Sequence, residues 1–185
     1  MRTPHQPIFT RDGDHLLFEV ALATSAAPTY FPIATMETFE GAQLIDGGMW
    51  ANNPALLGIV EALKFYVGID KEYERFKLLS IASIRSNIGW SVRKRKNLSG
   101  REWVLKLIDT TMDSQSQAVN NYIKHLIEAL KGEYVRIESQ GLSKEQLKHI
   151  HLDKAYPIAI KTIKGLAESE VHKWVSRDDI KQFFN

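Results

Sequence analysis

Along this chain short apolar runs alternate with longer stretches of helical spacing, the pattern of a layered α/β domain. Leu16 to Ala27 reads as a helix closed by Pro28, which cannot continue it and which disfavours the helical region for Ala27. Tyr30-Phe31-Pro32 then begins a loop. Gln43-Leu44-Ile45 is a brief apolar run ending at Asp46-Gly47-Gly48, so it reads as a buried strand whose carboxyl end turns sharply. A helix is expected at once: Asn53 suits its cap and Pro54 its first position, Leu56, Val60, Leu63 and Val67 share a face, and Gly68 stands where a stop belongs. Lys77 to Ala82 predicts a second buried strand, a neighbour or near neighbour of the first in one sheet, with the 53–67 helix covering a face.

After a basic loop, Ser99 caps a helix through Trp103, Leu107 and Ile108, and a further helix is expected over Ser114 to Leu130, before Gly132. Tyr134 to Ile137 returns as a strand. In the tail, Ser143 and Gln146 form a capping-box pattern, Ile158 to Val175 is long and amphipathic, and Ser176 with Asp179 suits the cap of a last short turn. There is no internal repeat and no low-complexity linker, so residues 1–185 are expected to form one domain.

Composition agrees with that picture: 44% hydrophobic and 25% charged residues over 185 positions describe an ordinary globular chain able to bury a core. The opening residues, Met1 to Pro7, are polar and proline-broken where a secretory signal would need an apolar stretch, and no run of apolar residues is long enough to span a bilayer. The absence of cysteine removes disulfides, thiolate metal sites and cysteine nucleophiles together, and a cytoplasm of bacterial type is the default compartment. A formal charge of +2 is too mild to argue for nucleic acid, although Arg93-Lys94-Arg95-Lys96 concentrates four positive charges.

Asp46 is the residue with chemical promise, because catalytic groups of open α/β sheets gather at the carboxyl ends of strands. Glycine at 47 and 48 lets the backbone turn tightly and leaves room for a nucleophile or substrate to approach the carboxylate. A lone Asp-Gly-Gly equally describes a tight turn with a solvated aspartate. The surrounding residues alter that balance. Ala23-Thr24-Ser25-Ala26-Ala27-Pro28-Thr29-Tyr30-Phe31-Pro32, followed by Leu44-Ile45-Asp46-Gly47-Gly48-Met49-Trp50-Ala51-Asn52-Asn53-Pro54-Ala55, closely resembles the paired signature of patatin-like phospholipases, a family of lipid acyl hydrolases. The likeness is strong from Leu16 to Leu63 and looser from Lys77 onward.

The resemblance implies a three-layer α/β sandwich, of which this chain would be the C-terminal portion with an incomplete sheet. It implies that Asp46 matches the general base of a Ser-Asp dyad, with Gly47 and Gly48 forming the motif turn. It implies a lipid or phospholipid ester substrate and neither cofactor nor metal. The family's nucleophile elbow, Gly-x-Ser-x-Gly, and its glycine-rich oxyanion loop lie before the Ala-Thr-Ser-Ala-Ala-Pro segment. None of the twelve serines here has glycine two residues away on both sides. Members often carry Ser-Ile-Gly-Thr-Gly where this sequence reads Ser80-Ile81-Ala82-Ser83-Ile84, so a glycine turn beside the site is altered.

Two expectations follow. The chain supplies the base and much of the scaffold of a lipid acyl hydrolase, is inactive alone and needs an N-terminal complementing portion. The alternative is a patatin-derived module kept to bind lipid, nucleotide or a partner protein; some bacterial relatives of this kind are switched on by nucleotide signals. An exposed sheet edge would favour self-association. His149, His151 and Asp153 invite a metal reading, but residues two apart project together only on a strand and a third ligand is not evident, so a polar surface segment is preferred. Arg93 to Lys96 reads first as a solvated loop, with lipid phosphates or nucleic acid as the functional readings. Trp90 and Trp103, with Val92 and Leu98, suit partial burial before a membrane interface, so peripheral membrane contact stays a minor expectation.

Overall fold

A computed structural model describes residues 5–84, 97, 99–150 and 155–184. The basic run 93–96, Trp90, Val92 and Leu98, and His151 with Asp153, lie outside the described residues. The chain forms two compact units, Met1–Asn52 and Asn53–Asn185. Among the described residues the architecture is mixed α/β with two small open sheets, each of two strands.

In the first unit, helix α1 (Leu17–Thr24) is shorter than its apolar pattern suggested. Beyond Thr24 the Ala26 N–H donates only to the Ala23 carbonyl and the Ala27 N–H to the Ser25 carbonyl, so the backbone leaves the helix before Pro28 is reached. Strand β1 (Ala34–Met36) pairs antiparallel with β2 (Ala42–Leu44), with Met36 opposite Ala42. The hairpin between them runs through a tight turn at Glu37–Phe39 and closes by Gly41 N–H donating to the Met36 carbonyl at 3.0 Å. Gly41 has φ of +70°, a conformation that costs glycine nothing. Glu19, buried on α1, accepts from the Glu37 N–H at 3.2 Å and from the Thr38 hydroxyl, so a carboxylate holds the turn in place. A one-turn helix α2 (Gly48–Ala51) follows Asp46-Gly47.

The second unit is built on a strand-helix-strand element. β3 (Phe76–Ile81) lies parallel to β4 (Gly132–Ile137), in register from Phe76 opposite Gly132 to Ile81 opposite Ile137. The helix between them, α4 (Gly100–Leu126), is continuous for 27 residues, where two helices were expected. Residues 109–113 contain neither glycine nor proline, so nothing breaks the helix, and Ser99 with Glu102 opens it as a full capping box. Helix α3 (Ala55–Phe65) buries Ala55 and Ile59 against Ile123 of α4, with Leu56, Leu63, Phe76, Leu78 and Tyr134 packed around them. Val60, assigned inward by its spacing, is 52% exposed; the inner face runs through Ile59 instead. The first strand is thus not a sheet neighbour of β3. It pairs with a partner only a five-residue loop away, where closure costs least.

Helices α5 (Pro157–Val175) and α6 (Asp178–Phe183) complete the chain. The Ser143–Gln146 capping pattern forms, but opens only a single turn at Gln146–Lys148. Ser176 closes α5 through the His172 carbonyl rather than capping α6, and Asp179 is paired with Arg177 at 2.6 Å.

Two positions carry measurable consequences. A Cβ at Gly132 would stand 2.4 Å from Cζ of Phe76, its partner in the sheet register. Gly132→Val is therefore expected to cost about 1–3 kcal/mol, read as a lower urea midpoint; an unchanged midpoint would mean that the ring moves aside freely. Asn53 is buried, accepts from the Ala55 N–H at 3.2 Å and donates to the Ser116 carbonyl at 3.3 Å. Pro54, not Asn53, occupies the N-cap position of α3, so Asn53→Ala removes an acceptor for the Ala55 N–H and a tie to α4, for an expected loss of about 1–2 kcal/mol in the same assay.

Candidate active site

Asp46 stands two residues past the end of β2, half-buried, in a turn held from two directions. From within, its Oδ1 accepts from the Gly48 N–H at 2.6 Å and its carbonyl accepts from the Met49 N–H at 3.1 Å. From outside, the Asp46 N–H donates to the Ala26 carbonyl at 3.0 Å, and the Gly47 N–H donates to the Thr24 carbonyl at 3.2 Å. The Ala-Thr-Ser-Ala-Ala-Pro segment and the Asp-Gly-Gly turn, twenty residues apart in sequence, are thereby joined by backbone hydrogen bonds. The short α1 makes this possible: the carbonyl of Thr24, its last residue, and that of Ala26, two residues beyond it, become the acceptors for the turn.

Glycine at 47 has a different cause from the one its sequence context suggested. Its φ of −61° and ψ of −22° are open to any residue, so no unusual backbone conformation is needed. A Cβ there would lie 3.0 Å from Oγ1 of Thr24. Glycine provides the close approach of the turn to the end of α1, and Gly48 begins α2.

The two carboxylate oxygens of Asp46 differ in their surroundings. Oδ1 is committed to the turn, while Oδ2 has no hydrogen-bond partner among the described residues. A carboxylate fixed at one oxygen and open at the other can accept a proton from a group brought to it. No group of three or more His, Asp or Glu side chains able to hold a metal occurs among the described residues. His149 closes the short turn at Gln146–Lys148, and Trp103 lies on α4, 43% exposed.

Apolar surface is extensive around this unit: Leu17 is 83% exposed and Trp50 72%, with Phe18, Leu22 and Phe31 also largely open. α1 buries Glu19 and Ala23 and turns its larger apolar side chains outward, the reverse of a helix that ends its own core. Among the described residues no helix is long and apolar enough to cross a membrane.

A second concave region, in the other unit, gathers residues from α4, β4 and α5, among them Lys124, Arg136, Lys173 and Trp174. Sequence spacing gave no signal for it, because its residues come from three separate elements and carry no local motif.

No family model matches the chain. It is similar to a cGAMP-activated phospholipase of Escherichia coli, 28% identical over 194 residues, covering 99% of this chain and 54% of that protein. It is 31% identical over 167 residues to a cGAMP-activated phospholipase of Pseudomonas aeruginosa, covering 89% of this chain and 43% of the relative. It is also 31% identical over 149 residues to patatin-like protein 3 of Arabidopsis thaliana, with 68% of this chain and 35% of the relative aligned. The chain thus spans about half the length, or less, of the curated relatives it matches. These likenesses, bacterial and plant alike, agree with the mixed α/β fold, and the chain belongs to the patatin-like phospholipase family.

Proposed function

We propose that this chain supplies the proton-accepting aspartate of a serine-dependent lipid acyl hydrolase of phospholipase A type, as the C-terminal portion of a single patatin-like domain, and is inactive alone. The observation that carries the reading is the Asp46 turn, tied by Thr24 and Ala26 to α1 with one carboxylate oxygen uncommitted. The phospholipase names of the bacterial relatives support the reaction class.

In the reaction, Asp46 takes the proton of a serine hydroxyl as that oxygen attacks the ester carbonyl. The tetrahedral intermediate expels the alcohol, which takes the proton from Asp46, and an acyl-serine remains. Water then attacks the acyl group, giving its proton to Asp46, and the fatty acid leaves as that proton returns to serine. The serine and the oxyanion donors come from a complementing portion, since no serine of this chain sits in Gly-x-Ser-x-Gly. The exposed face of α1 and Trp50 is the apolar surface such a portion would cover. The site works in the cytoplasm, at most peripheral to the membrane, and requires no metal.

A second reading, a patatin-derived binding module, is favoured by the same missing elbow, and the names of the bacterial relatives suggest a nucleotide as its ligand. Fatty acid release from phospholipid vesicles by this chain with a Gly-x-Ser-x-Gly portion separates the two. Release favours the hydrolase; vesicle or nucleotide binding without release favours the module.

A further inference from the structure

We propose that Glu19 is a positioning residue for Asp46: its carboxylate fixes where the β1–β2 hairpin lies along α1, and so where the Asp46 turn meets the Thr24 and Ala26 carbonyls. The chemical consequence of that placement rests on Asp46 acting as the base.

Glu19 is a carboxylate only 7% exposed, on the face of α1 that also buries Ala23, and it has no ion-pair partner among the described residues. An apolar side chain would fill the same place without the cost of burying a charge. What a carboxylate adds is a pair of acceptors. Oε1 accepts from the Glu37 N–H at 3.2 Å and Oε2 from the Thr38 hydroxyl, both in the turn that joins β1 to β2. The far end of the hairpin is tied to the other end of the same helix, where the Asp46 N–H donates to the Ala26 carbonyl at 3.0 Å and the Gly47 N–H to the Thr24 carbonyl at 3.2 Å. In each of these bonds the hairpin segment donates and the α1 segment accepts, so residues 37–47 are lashed down at both ends.

Between those ends the contacts are permissive. Each strand of the ladder is three residues long, and a hairpin of that size does not hold its own geometry. α1 packs on β1, and among the described residues the buried apolar side chains of this unit are Ala23, Ala26 and Met36. Alanine offers no ridge and methionine adapts its shape to its neighbours, so this packing tolerates sliding. The Phe39 ring meets the His15 ring at 5.2 Å and the Arg11 guanidinium at 5.4 Å, contacts that demand less direction than a hydrogen bond. Freed at Glu37 and Thr38, the hairpin can shift along α1. Asp46 would then keep its local shape, which the Gly48 N–H secures from within, and lose its place.

Amide hydrogen exchange of the whole chain, followed residue by residue by NMR, tests the placement without any need for catalysis. Glu19→Leu fills the volume and removes both acceptors. In it the Asp46 and Gly47 amides are expected to exchange at least about tenfold faster, while the Ser25 amide, bonded to Ala21, and the Ala82 amide, bonded to Ile137, stay within about twofold. Glu19→Gln is the rescue: its amide oxygen accepts from the Glu37 N–H and its NH2 donates to the Thr38 hydroxyl, so these amides should all stay within about twofold of the unaltered chain. Thr38→Val, at an exposed position, removes one donor and should quicken Asp46 and Gly47 at least about threefold; it decides alone if the leucine variant does not fold. In the reconstituted pair Glu19→Leu should lower fatty acid release at saturating phospholipid about tenfold with KM little changed, and glutamine should restore it. Asp46 and Gly47 amides unchanged while those of Glu37 and Gly41 quicken, or all amides quickened alike, overturns the placement. So does a glutamine variant that behaves like leucine, or an active pair undiminished by Glu19→Leu. An unaltered pair that releases no fatty acid counts against Asp46 as the base, and the exchange result then decides the role of Glu19 by itself.

Discussion

Purified by itself, the chain is expected to show no turnover of short acyl esters and no labelling by a serine-directed fluorophosphonate. A general base accelerates proton transfer only from a nucleophile that is present, and Asp46 has none in a Gly-x-Ser-x-Gly setting within this sequence. Loss of an oxyanion donor alone costs about 10²–10³ in rate, and loss of the nucleophile removes the acyl-enzyme route altogether. The two absences should leave hydrolysis at the buffer background. Adding the complementing portion should raise it by about 10³-fold or more. Stoichiometric labelling of the lone chain at one serine, abolished by Asp46→Asn, would contradict this and reveal an unrecognised nucleophile.

The element types were largely legible because they rest on local rules. The Asp-Gly-Gly turn after a strand, the Ser99 cap and the β3 and β4 runs each show in local residue types, whereas the Asn53 cap expected for α3 falls to Pro54. What escaped was decided by contacts. α1 stops early where the carbonyls of Thr24 and Ala26 bond the Asp46-Gly47 turn instead of a further helical turn, which its apolar spacing cannot reveal. α3 turns Ile59 rather than Val60 inward because Ile123 of a helix far along the chain packs there. The pairing of β2 with β1 was missed because the three-residue β1 has too little length to show a period.

The candidate site divides in the same way. Asp46 could be singled out from residue types and spacing, and its turn geometry is visible in two glycines. The reason for Gly47 could not, since the crowding atom is Oγ1 of Thr24, brought close by the fold. Nor could the cleft around Trp174, whose charges come from α4, β4 and α5. Buried Glu19 carries a weak signal in retrospect: an acid in the middle of an otherwise apolar helix must find donors, and it finds Thr38 and the Glu37 N–H.

The central claim is that Asp46 accepts the serine proton, and it is tested most directly by fatty acid release from phospholipid vesicles by the reconstituted pair. Asparagine at 46 is nearly isosteric and can still accept the Gly48 N–H through its amide oxygen, so the turn and the association of the two portions should survive. The amide cannot take up a proton at neutral pH. Asp46→Asn should therefore lower release by about 10²–10⁴-fold with co-elution on size exclusion unchanged, whereas Asp153→Asn should leave release within about twofold. Release that persists with asparagine at 46, or that falls equally with the change at 153, would contradict the assignment of Asp46 as the base.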